Sequence, residues 1–328
     1  MEPGTEESEL VNIQDFLQDH FMDAITALTQ RIHDERGLED SVVLGYDTLN
    51  EPCMGWIGVE DMNIFPEEQE LKTGLTPTPI QTLMLGEGLP CVVEDWDFGS
   101  MGPKRSRAVL FDPAGVRAWR EGVQCIWEQH GVWSKSTQTL LRPDYFHRDP
   151  NTGVHISFLK DCWKPFVATF SAKIRAIHKN AMVFVDPPVN MIPPTFTDAE
   201  RTGLVYAPHW YDGLTLINKH YNEWFSVDYI GFKRGLYSNI VFALRFGQTG
   251  IRKCWRDQLA FIKNEGIKHI GMFFYICKMK QMKRQNEESH ICVPQGTSRV
   301  SWVKLECQWT WTAKHHTYPA TIQVKSRP

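Results

Sequence analysis

The sequence predicts an α/β fold in which parallel strands alternate with helices, as in a barrel rather than a sandwich. Two observations lead to this prediction. Amphipathic stretches with helical spacing precede short apolar runs from the N-terminus to about residue 272. These apolar runs end abruptly in polar residues, which is typical of buried parallel strands that open into loops. The chain has 328 residues, 42% of them hydrophobic, enough for one large domain or two average ones.

Periodic apolar residues predict four helices. They span about Asn12–Arg36, Pro113–His130, Phe158–His178 and Thr249–Asn264, the last ending at Gly266. The apolar face of the first helix is expected to consist of Phe16, Phe21, Ala24, Leu28 and Ile32. Helix, short loop and strand in succession is the pattern of an α/β protein.

Short apolar runs predict the strands. These are Val42–Leu44, Met182–Val185, Gly203–Ala207 and the approach to one more strand at Ile267–Gly271. Residues 53–112 are rich in Gly and Pro and lack a clear period. A stretch of this length is expected to be functional or to decorate the loop face of the sheet.

The first predicted strand leads into Asn50, Glu51 and Pro52, and the proline prevents the strand from continuing. A carboxylate at the carboxyl end of a buried strand lies where (β/α)-barrel enzymes place their active sites. Part-buried carboxyls in such places have raised pKa values and can donate a proton near neutral pH. The tripeptide alone would also fit a simple turn, but the strand before it favours a catalytic Glu51.

A second polar cluster, His209-Trp210-Tyr211, follows the strand at Gly203–Ala207. His209 and Tyr211 occupy alternate positions, so in extended chain their side chains point the same way. They could hydrogen-bond a carboxylate nucleophile or a sugar hydroxyl, while Trp210 offers a face for stacking. Such a cluster is often structural when it stands alone. Its position at a strand end favours a binding site.

Five segments in combination resemble family 5 of the glycoside hydrolases. They are Asp47–Pro52 followed by Gly55, Arg142–Phe146, Phe184–Asn190, Tyr206–Gly213 and Phe261–Gly266. More narrowly, the chain resembles the fungal branch related to endoglycoceramidases, whose members cleave glucosylceramide and steryl β-glucosides. The resemblance covers about residues 10–272.

This resemblance implies a (β/α)₈ barrel and retaining hydrolysis of a glycolipid substrate by two carboxyl groups, roughly 5–5.5 Å apart. Glu51 would be the general acid/base at the end of the fourth barrel strand. Asn50 would hold the 2-hydroxyl of the sugar. His209 and Tyr211 would orient the nucleophile from the sixth strand, with Trp210 in the same substrate-binding group. No metal or organic cofactor is implied.

The chain also departs from the family pattern. Only about 40 residues precede the strand of Glu51, so a partial barrel is expected, with strands 4 to about 7. The family nucleophile would follow Gly271, where Met272–Cys277 stands instead, and neither Glu287 nor Glu288 is assigned that role. We therefore expect a truncated or mis-spliced member that is inactive as it stands. The alternative is a catalytically dead remnant that binds glycolipid or has no function.

Residues 1–272 are predicted to form the partial barrel domain, and residues 273–328 an irregular tail. The tail has nine Lys or Arg against three Glu. It is either a basic arm for acidic membrane surfaces or a segment not native to the fold, and we favour the latter. The eight cysteines form no close CxxC pair, which argues against a zinc ribbon or a disulfide scaffold.

Charge and hydropathy limit the expected partners and location. A net charge of −4 gives no reason to expect nucleic-acid binding. No apolar run reaches the length of a membrane span, which leaves peripheral membrane contact open. The acidic first residues differ from a secretory signal, so a cytoplasmic location is expected, with a vacuolar one left open. The oligomeric state is not predicted.

Overall fold

The computed structural model describes residues 12–66, 71–99, 102–149 and 151–271, and the backbone of two strands at 291–295 and 299–303. The helices are α1 Ile13–Asp34, α2 Pro79–Gly86, α3 Ile126–Gln129, α4 Lys164–Ile177, α5 Gly213–Asn218, α6 Tyr229–Lys233 and α7 Gly247–His269. The strands are β1 Gly45–Asp47, β2 Gly74–Thr76, β3 Cys91–Gly99, β4 Gly102–Phe111, β5 Trp133–Ser134, β6 Thr139–Leu140, β7 Met182–Val185, β8 Leu204–Tyr206, β9 Phe225–Val227, β10 Leu244–Phe246, β11 Ile291–Gln295 and β12 Arg299–Val303.

Three of these strands form a parallel sheet in the spatial order β1, β7, β8. Tyr46 lies opposite Val183, which lies opposite Leu204, so this row of side chains points to one face. That face is buried in the main hydrophobic core with Phe170 and Ile174 of α4. The predicted strands at Met182–Val185 and Gly203–Ala207 are therefore confirmed. The third predicted helix, Phe158–His178, is confirmed as well, with a π-helix at 158–163 leading into α4.

Helix α1 confirms the first predicted helix, and its buried face agrees with the prediction in part, because Phe21 and Ile32 pack against the core. Met22 and Thr29 are buried, whereas Phe16 and Leu28 are 46% and 53% exposed. Phe21 contacts Phe166 and Phe170 of α4, so the buried face includes part of the predicted stripe together with Met22 and Thr29. With apolar residues on several sides of the helix, spacing alone could not identify which of them meet α4.

The first predicted strand is wrong by three residues. Val42 and Leu44 are 66% and 52% exposed, and strand β1 is Gly45–Asp47 with Tyr46 as its buried residue. Glycine is required at the start of this strand. A Cβ at Gly45 would overlap the backbone carbonyl of Met182 on β7. Close approach of the two backbones therefore decides where pairing begins.

The predicted end of the last helix at Gly266 is also wrong, and so is the predicted approach to a strand at Ile267–Gly271. Helix α7 continues to His269, and Gly271, with φ +91°, follows its C-cap. Gly266 lies inside the helix, where a Cβ would overlap the ring of Tyr206 on β8. This glycine permits close helix–sheet packing rather than ending the helix.

Residues 53–146, named here the inserted lobe, contain more order than predicted. Strands β2, β3 and β4 form an antiparallel sheet within the stretch expected to be decoration. The lobe also has a second hydrophobic core, which includes Met62, Val132 and Trp133. The helix predicted at Pro113–His130 is wrong except for α3, because Gly115 and Gly122 adopt φ of +76° and +78°, which interrupt a helix.

Strands β11 and β12 pair antiparallel within the tail that was predicted to be irregular. The remainder of the tail and the seventh barrel strand expected after Gly271 lie outside the described residues. None of the helices in the described ranges combines the length and apolar character needed to cross a membrane.

Candidate active site

Polar residues from three strand ends meet at one edge of the parallel sheet. Glu51 follows β1, Asp186 directly follows β7, and His209 follows β8. The strands run parallel, so their carboxyl ends lie side by side. The ladder continues past β1, where the N–H of Thr48 donates to the carbonyl of Phe184 at 3.0 Å. This is the kind of edge where α/β proteins bind ligands.

The Glu51 carboxylate accepts two hydrogen bonds on the same oxygen. His209 Nδ1 lies 2.6 Å from Glu51 Oε1, and the Tyr211 hydroxyl donates to that oxygen as well. Two donors on one carboxylate oxygen require the proton of His209 to be on Nδ1. Burial, followed by the bond to Glu51, raises the pKa of the Tyr211 hydroxyl, which therefore stays a donor at neutral pH.

Glu51 and His209 differ in how much of each side chain is exposed to solvent. The Glu51 side chain is 33% exposed, whereas that of His209 is 6% exposed. The carboxylate can therefore meet a ligand while its imidazole partner is held inside the protein. His209 and Tyr211 lie on the same side as Glu51, as their alternate spacing predicted. They contact Glu51 itself, and orienting a separate nucleophile stays a prediction.

Trp210 does not lie in the predicted substrate-binding site, where it was expected to stack on a sugar. Its residue exposure is 2%, its ring packs against Trp255 with centroids 6.3 Å apart, and its indole N–H donates to Gln258 at 3.3 Å. The alternation that directs His209 and Tyr211 to the site directs Trp210 into the core. No face of the indole is open to a sugar ring, which overturns the stacking role.

The backbone of Glu51 adopts a left-handed conformation, with φ +46°. A residue with a Cβ loses about 1 kcal/mol there, so surrounding contacts must hold it. One such contact is the Glu51 N–H, which donates to Asp186 Oδ2 at 2.9 Å. Asn50, which directly precedes Glu51, is exposed. Its predicted role in binding a sugar 2-hydroxyl stays a prediction.

Asp186 is the site residue that the sequence prediction missed. Its side chain is 1% exposed, and its Oδ2 lies 3.7 Å from His209 Nδ1. Burial raises the pKa of Asp186 to about 6, against the lowering effect of His209. A signal was present, because an aspartate directly after a buried strand repeats the pattern that identified Glu51. The following Pro187 and Pro188 suggested only the end of a strand.

Asp186 is too deeply buried to attack an anomeric carbon, so it does not supply the second carboxylate of a retaining glycosidase. The expected nucleophile segment at Met272–Cys277 lies outside the described residues, as do Glu287 and Glu288. Within the described part of the chain, the edge therefore provides the partly exposed carboxylate of Glu51, two donors that stabilise its ionised form, and the buried Asp186.

No protein-family model matches this chain. It is 38% identical to a glucosylceramidase of Aspergillus fumigatus, over 80% of this chain and 37% of that protein. It is 32% identical to an ergosteryl-beta-glucosidase of Saccharomyces cerevisiae, over 79% of this chain and 37% of that protein. The chain thus spans less than two-fifths of the length of these curated relatives.

Solved structures lead to the same group. The crystal structure of Cryptococcus neoformans sterylglucosidase 1 superposes with a TM-score of 0.76 at 40% sequence identity, covering 80% of this chain and 39% of that one. An α/β fold is therefore shared along most of the chain. Both comparisons agree with the resemblance inferred from the motifs, and the chain is a relative of the fungal glucosylceramidases and steryl β-glucosidases.

Proposed function

We propose that this chain carries the acid–base half of a retaining β-glucosidase site that acts on a glycolipid, either glucosylceramide or a steryl β-glucoside. The observation that carries the proposal is the contact of His209 and Tyr211 with the partly exposed carboxylate of Glu51. The relatives named glucosylceramidase and ergosteryl-beta-glucosidase supply the substrate class. The choice between the two aglycones stays open.

We further propose that β1, β7 and β8 correspond to the fourth, fifth and sixth strands of a (β/α)₈ barrel. Their parallel order follows the chain, with α4 between β1 and β7. Barrel sites are built from the loops after such strands, which is the edge where Glu51 and His209 lie. The expected seventh strand would begin after residue 271.

Glu51 would act first as an acid and then as a base. Protonated Glu51 gives its proton to the glycosidic oxygen as the aglycone leaves, and the resulting carboxylate later takes a proton from the attacking water. The donors His209 and Tyr211 stabilise the carboxylate that the first step produces. Asn50 is proposed to hold the sugar through its 2-hydroxyl.

A second candidate is a non-catalytic remnant that binds glycolipid or has no function. The observation that favours it is the burial of Asp186. Among the described residues, Glu51 and Asp186 are the carboxylates that lie near His209, and the buried Asp186 cannot reach a substrate. Without a second carboxyl group near the anomeric carbon, Glu51 can protonate a leaving oxygen but nothing captures the sugar. The chain by itself is then expected to release no glucose.

The two candidates are separated by supplying from solution a nucleophile that the described residues do not provide. The purified chain is incubated with phenyl β-glucoside, with and without sodium azide, beside the variants Glu51→Gln and Asp228→Asn. Asp228 is a buried helix cap outside the site and serves as the matched control. Azide-dependent release of phenol, about 10²–10⁴-fold slower in Glu51→Gln and unchanged in Asp228→Asn, is the expected result.

Absence of phenol release under all conditions would reject the acid–base proposal and leave the remnant. Glucose release without azide, abolished by Glu51→Gln, would instead mean that a carboxylate outside the described residues completes the site. The same assays on glucosylceramide and a steryl β-glucoside would then identify the aglycone.

A further inference from the structure

Asp186 joins all three strand ends of the site, although a sugar could not touch it. Its carboxylate accepts the backbone N–H of Glu51 at 2.9 Å and lies 3.7 Å from Nδ1 of His209. Its own carbonyl accepts the indole N–H of Trp163 at 3.1 Å. One buried residue therefore ties the loop after β1 and the loop after β8 to β7 and to the start of α4.

The hydrogen bond from the Glu51 N–H to Asp186 stabilises an unfavourable backbone conformation. Glu51 has a left-handed backbone, and its N–H direction is set by that conformation. With the N–H held by Asp186, the Glu51 side chain extends toward His209 and Tyr211. Releasing the N–H would let the backbone relax to an ordinary conformation and carry the carboxylate away from its two donors.

The charge of Asp186 acts on the same group. His209 Nδ1 lies 2.6 Å from Glu51 and 3.7 Å from Asp186, so the imidazole faces two carboxylates. A negative charge on Asp186 favours a proton on the Nδ1 that donates to Glu51. Asp186 also interacts electrostatically with three other ionisable groups. These are Asp47, the last residue of β1, and Tyr206 and Tyr211 from the β8 side.

The second carboxylate oxygen of Asp186 indicates that the residue does more than accept hydrogen bonds from neighbouring groups. Asp186 Oδ1 is buried and accepts no hydrogen bond from the described residues. A buried carboxylate with an unsatisfied oxygen is costly to keep charged, and structural positions usually avoid that cost. Groups kept in such a state are characteristic of functional sites.

We infer that Asp186 is a positioning residue, whose buried carboxylate fixes the left-handed backbone of Glu51 and holds the His209 imidazole against the Glu51 carboxylate. The inference deepens the proposed function and rests on it for the role of Glu51 as acid/base. The chemistry it assigns to Asp186 is electrostatic and involves no contact with substrate.

The test is nuclear magnetic resonance on the full chain labelled with ¹⁵N and ¹³C, titrated between pH 4.5 and 8. In the wild-type chain, the Glu51 amide signal is expected to shift with a midpoint near pH 6 as Asp186 ionises, and the His209 Nδ1 proton to give a slowly exchanging downfield signal. In Asp186→Asn the amide shift should disappear and the Nδ1 signal should broaden or vanish. In Asp228→Asn both should persist.

A flat Glu51 amide signal in the wild-type chain would overturn the inference, and that measurement needs no variant to fold. Unchanged Glu51 and His209 signals in a folded Asp186→Asn variant would overturn it equally. In azide-supported turnover, Asp186→Asn is expected to lower kcat about 10–100-fold while KM stays the same. Absence of turnover in the wild-type chain would reject the proposed function, whereas the resonance titrations would still decide the role of Asp186.

Discussion

Glu87 in the inserted lobe and Asp186 at the edge of the parallel sheet are equally buried, each with 1% of its side chain exposed. Their partners differ. Glu87 accepts two bonds from the Arg117 guanidinium, both at 2.9 Å, and one from Lys135 at 2.7 Å. Asp186 accepts the backbone N–H of Glu51, faces a histidine at 3.7 Å and has one oxygen that accepts no hydrogen bond from the described residues.

The pKa values of the two carboxyls respond in opposite directions. Burial acts to raise the pKa of Glu87, but the hydrogen bonds from Arg117 and Lys135 outweigh it, so the pKa is lowered. Burial raises the pKa of Asp186 to about 6. The charge of Glu87 therefore stabilises the lobe, whereas the charge of Asp186 is a cost to the sheet. The lobe carboxylate serves stability, and the edge carboxylate is retained despite its cost, as expected of a functional site.

The strongest test of this comparison is Glu87→Ala. Removing the carboxylate takes the buried partner from Arg117 and Lys135, whose side chains are 29% and 40% exposed. Because water reaches both cations, the expected loss is about 3 kcal/mol, the lower end of the cost of breaking a buried ion pair. Urea unfolding should show this loss, with faster amide hydrogen exchange confined to the inserted lobe. Asp95→Ala is the control, because its partner Arg107 is 72% exposed and such surface pairs are worth at most about 1 kcal/mol. Equal losses in the two variants would contradict the stabilising role of Glu87.

A second test uses pH. A raised pKa means that Asp186 contributes stability that is complete below about 3.8, its ordinary value, and is lost as pH rises through about 6. The wild-type chain should therefore lose on the order of 3 kcal/mol relative to Asp186→Asn between pH 4 and pH 7.5. For Glu87→Gln the sign is reversed, because a lowered pKa gives stability that is present above about 4.5 and lost in acid. Parallel pH profiles for the two variants would show that the carboxylates do not differ.

The sequence was more informative about the sheet than about the lobe, and the reason is physical. Strands β7 and β8 are continuous apolar runs, each followed within three residues by a polar side chain, so the runs and their ends were both visible. The meeting of Glu51, His209 and Tyr211 followed from parallel strand ends. Asp186 was missed because its role depends on the N–H of Glu51, a contact between residues far apart in the chain.

The lobe resisted prediction because its order comes from distant pairing. In β4, the sequence from Lys104 to Arg107 is polar and mostly exposed, so no apolar alternation announces the strand. Its partner β3 provides the hydrogen bonds, with a shift of register between Asp95 and Trp96. The buried Glu87 was equally hidden, since Arg117 and Lys135 lie 30 and 48 residues further along the chain.

The close packing of α7 on β8 gives a third test, on the sheet side of the comparison. Glycine to alanine inside a helix normally gains about 1 kcal/mol. At Gly266 the new methyl group would overlap the Tyr206 ring, and overpacking costs about 1–3 kcal/mol, so a net loss is expected. Gly250→Ala in the same helix is the control, since its nearest neighbour would be Arg245 at 3.5 Å. Thermal melts should move down for the first and up for the second, and a rise in both would mean that α7 does not contact β8 this closely.

The smallest expected effect concerns the N-terminus of α1, the helix that packs on α4 beneath the sheet. The side-chain oxygen of Asn12 accepts the N–H of Gln14 at 2.8 Å, which satisfies one of the free donors of the first turn. Asn12→Ala should cost about 1 kcal/mol, because alanine offers no acceptor. Asn12→Asp keeps the acceptor and adds a negative charge at the positive end of the helix dipole, so it should match or exceed the wild-type stability. Hydrogen exchange should place the alanine effect in α1 and leave the inserted lobe unchanged. If protection in the lobe fell as well, the two cores would unfold as one unit, and the separate roles of Glu87 and Asp186 could be measured only through their opposite pH dependence.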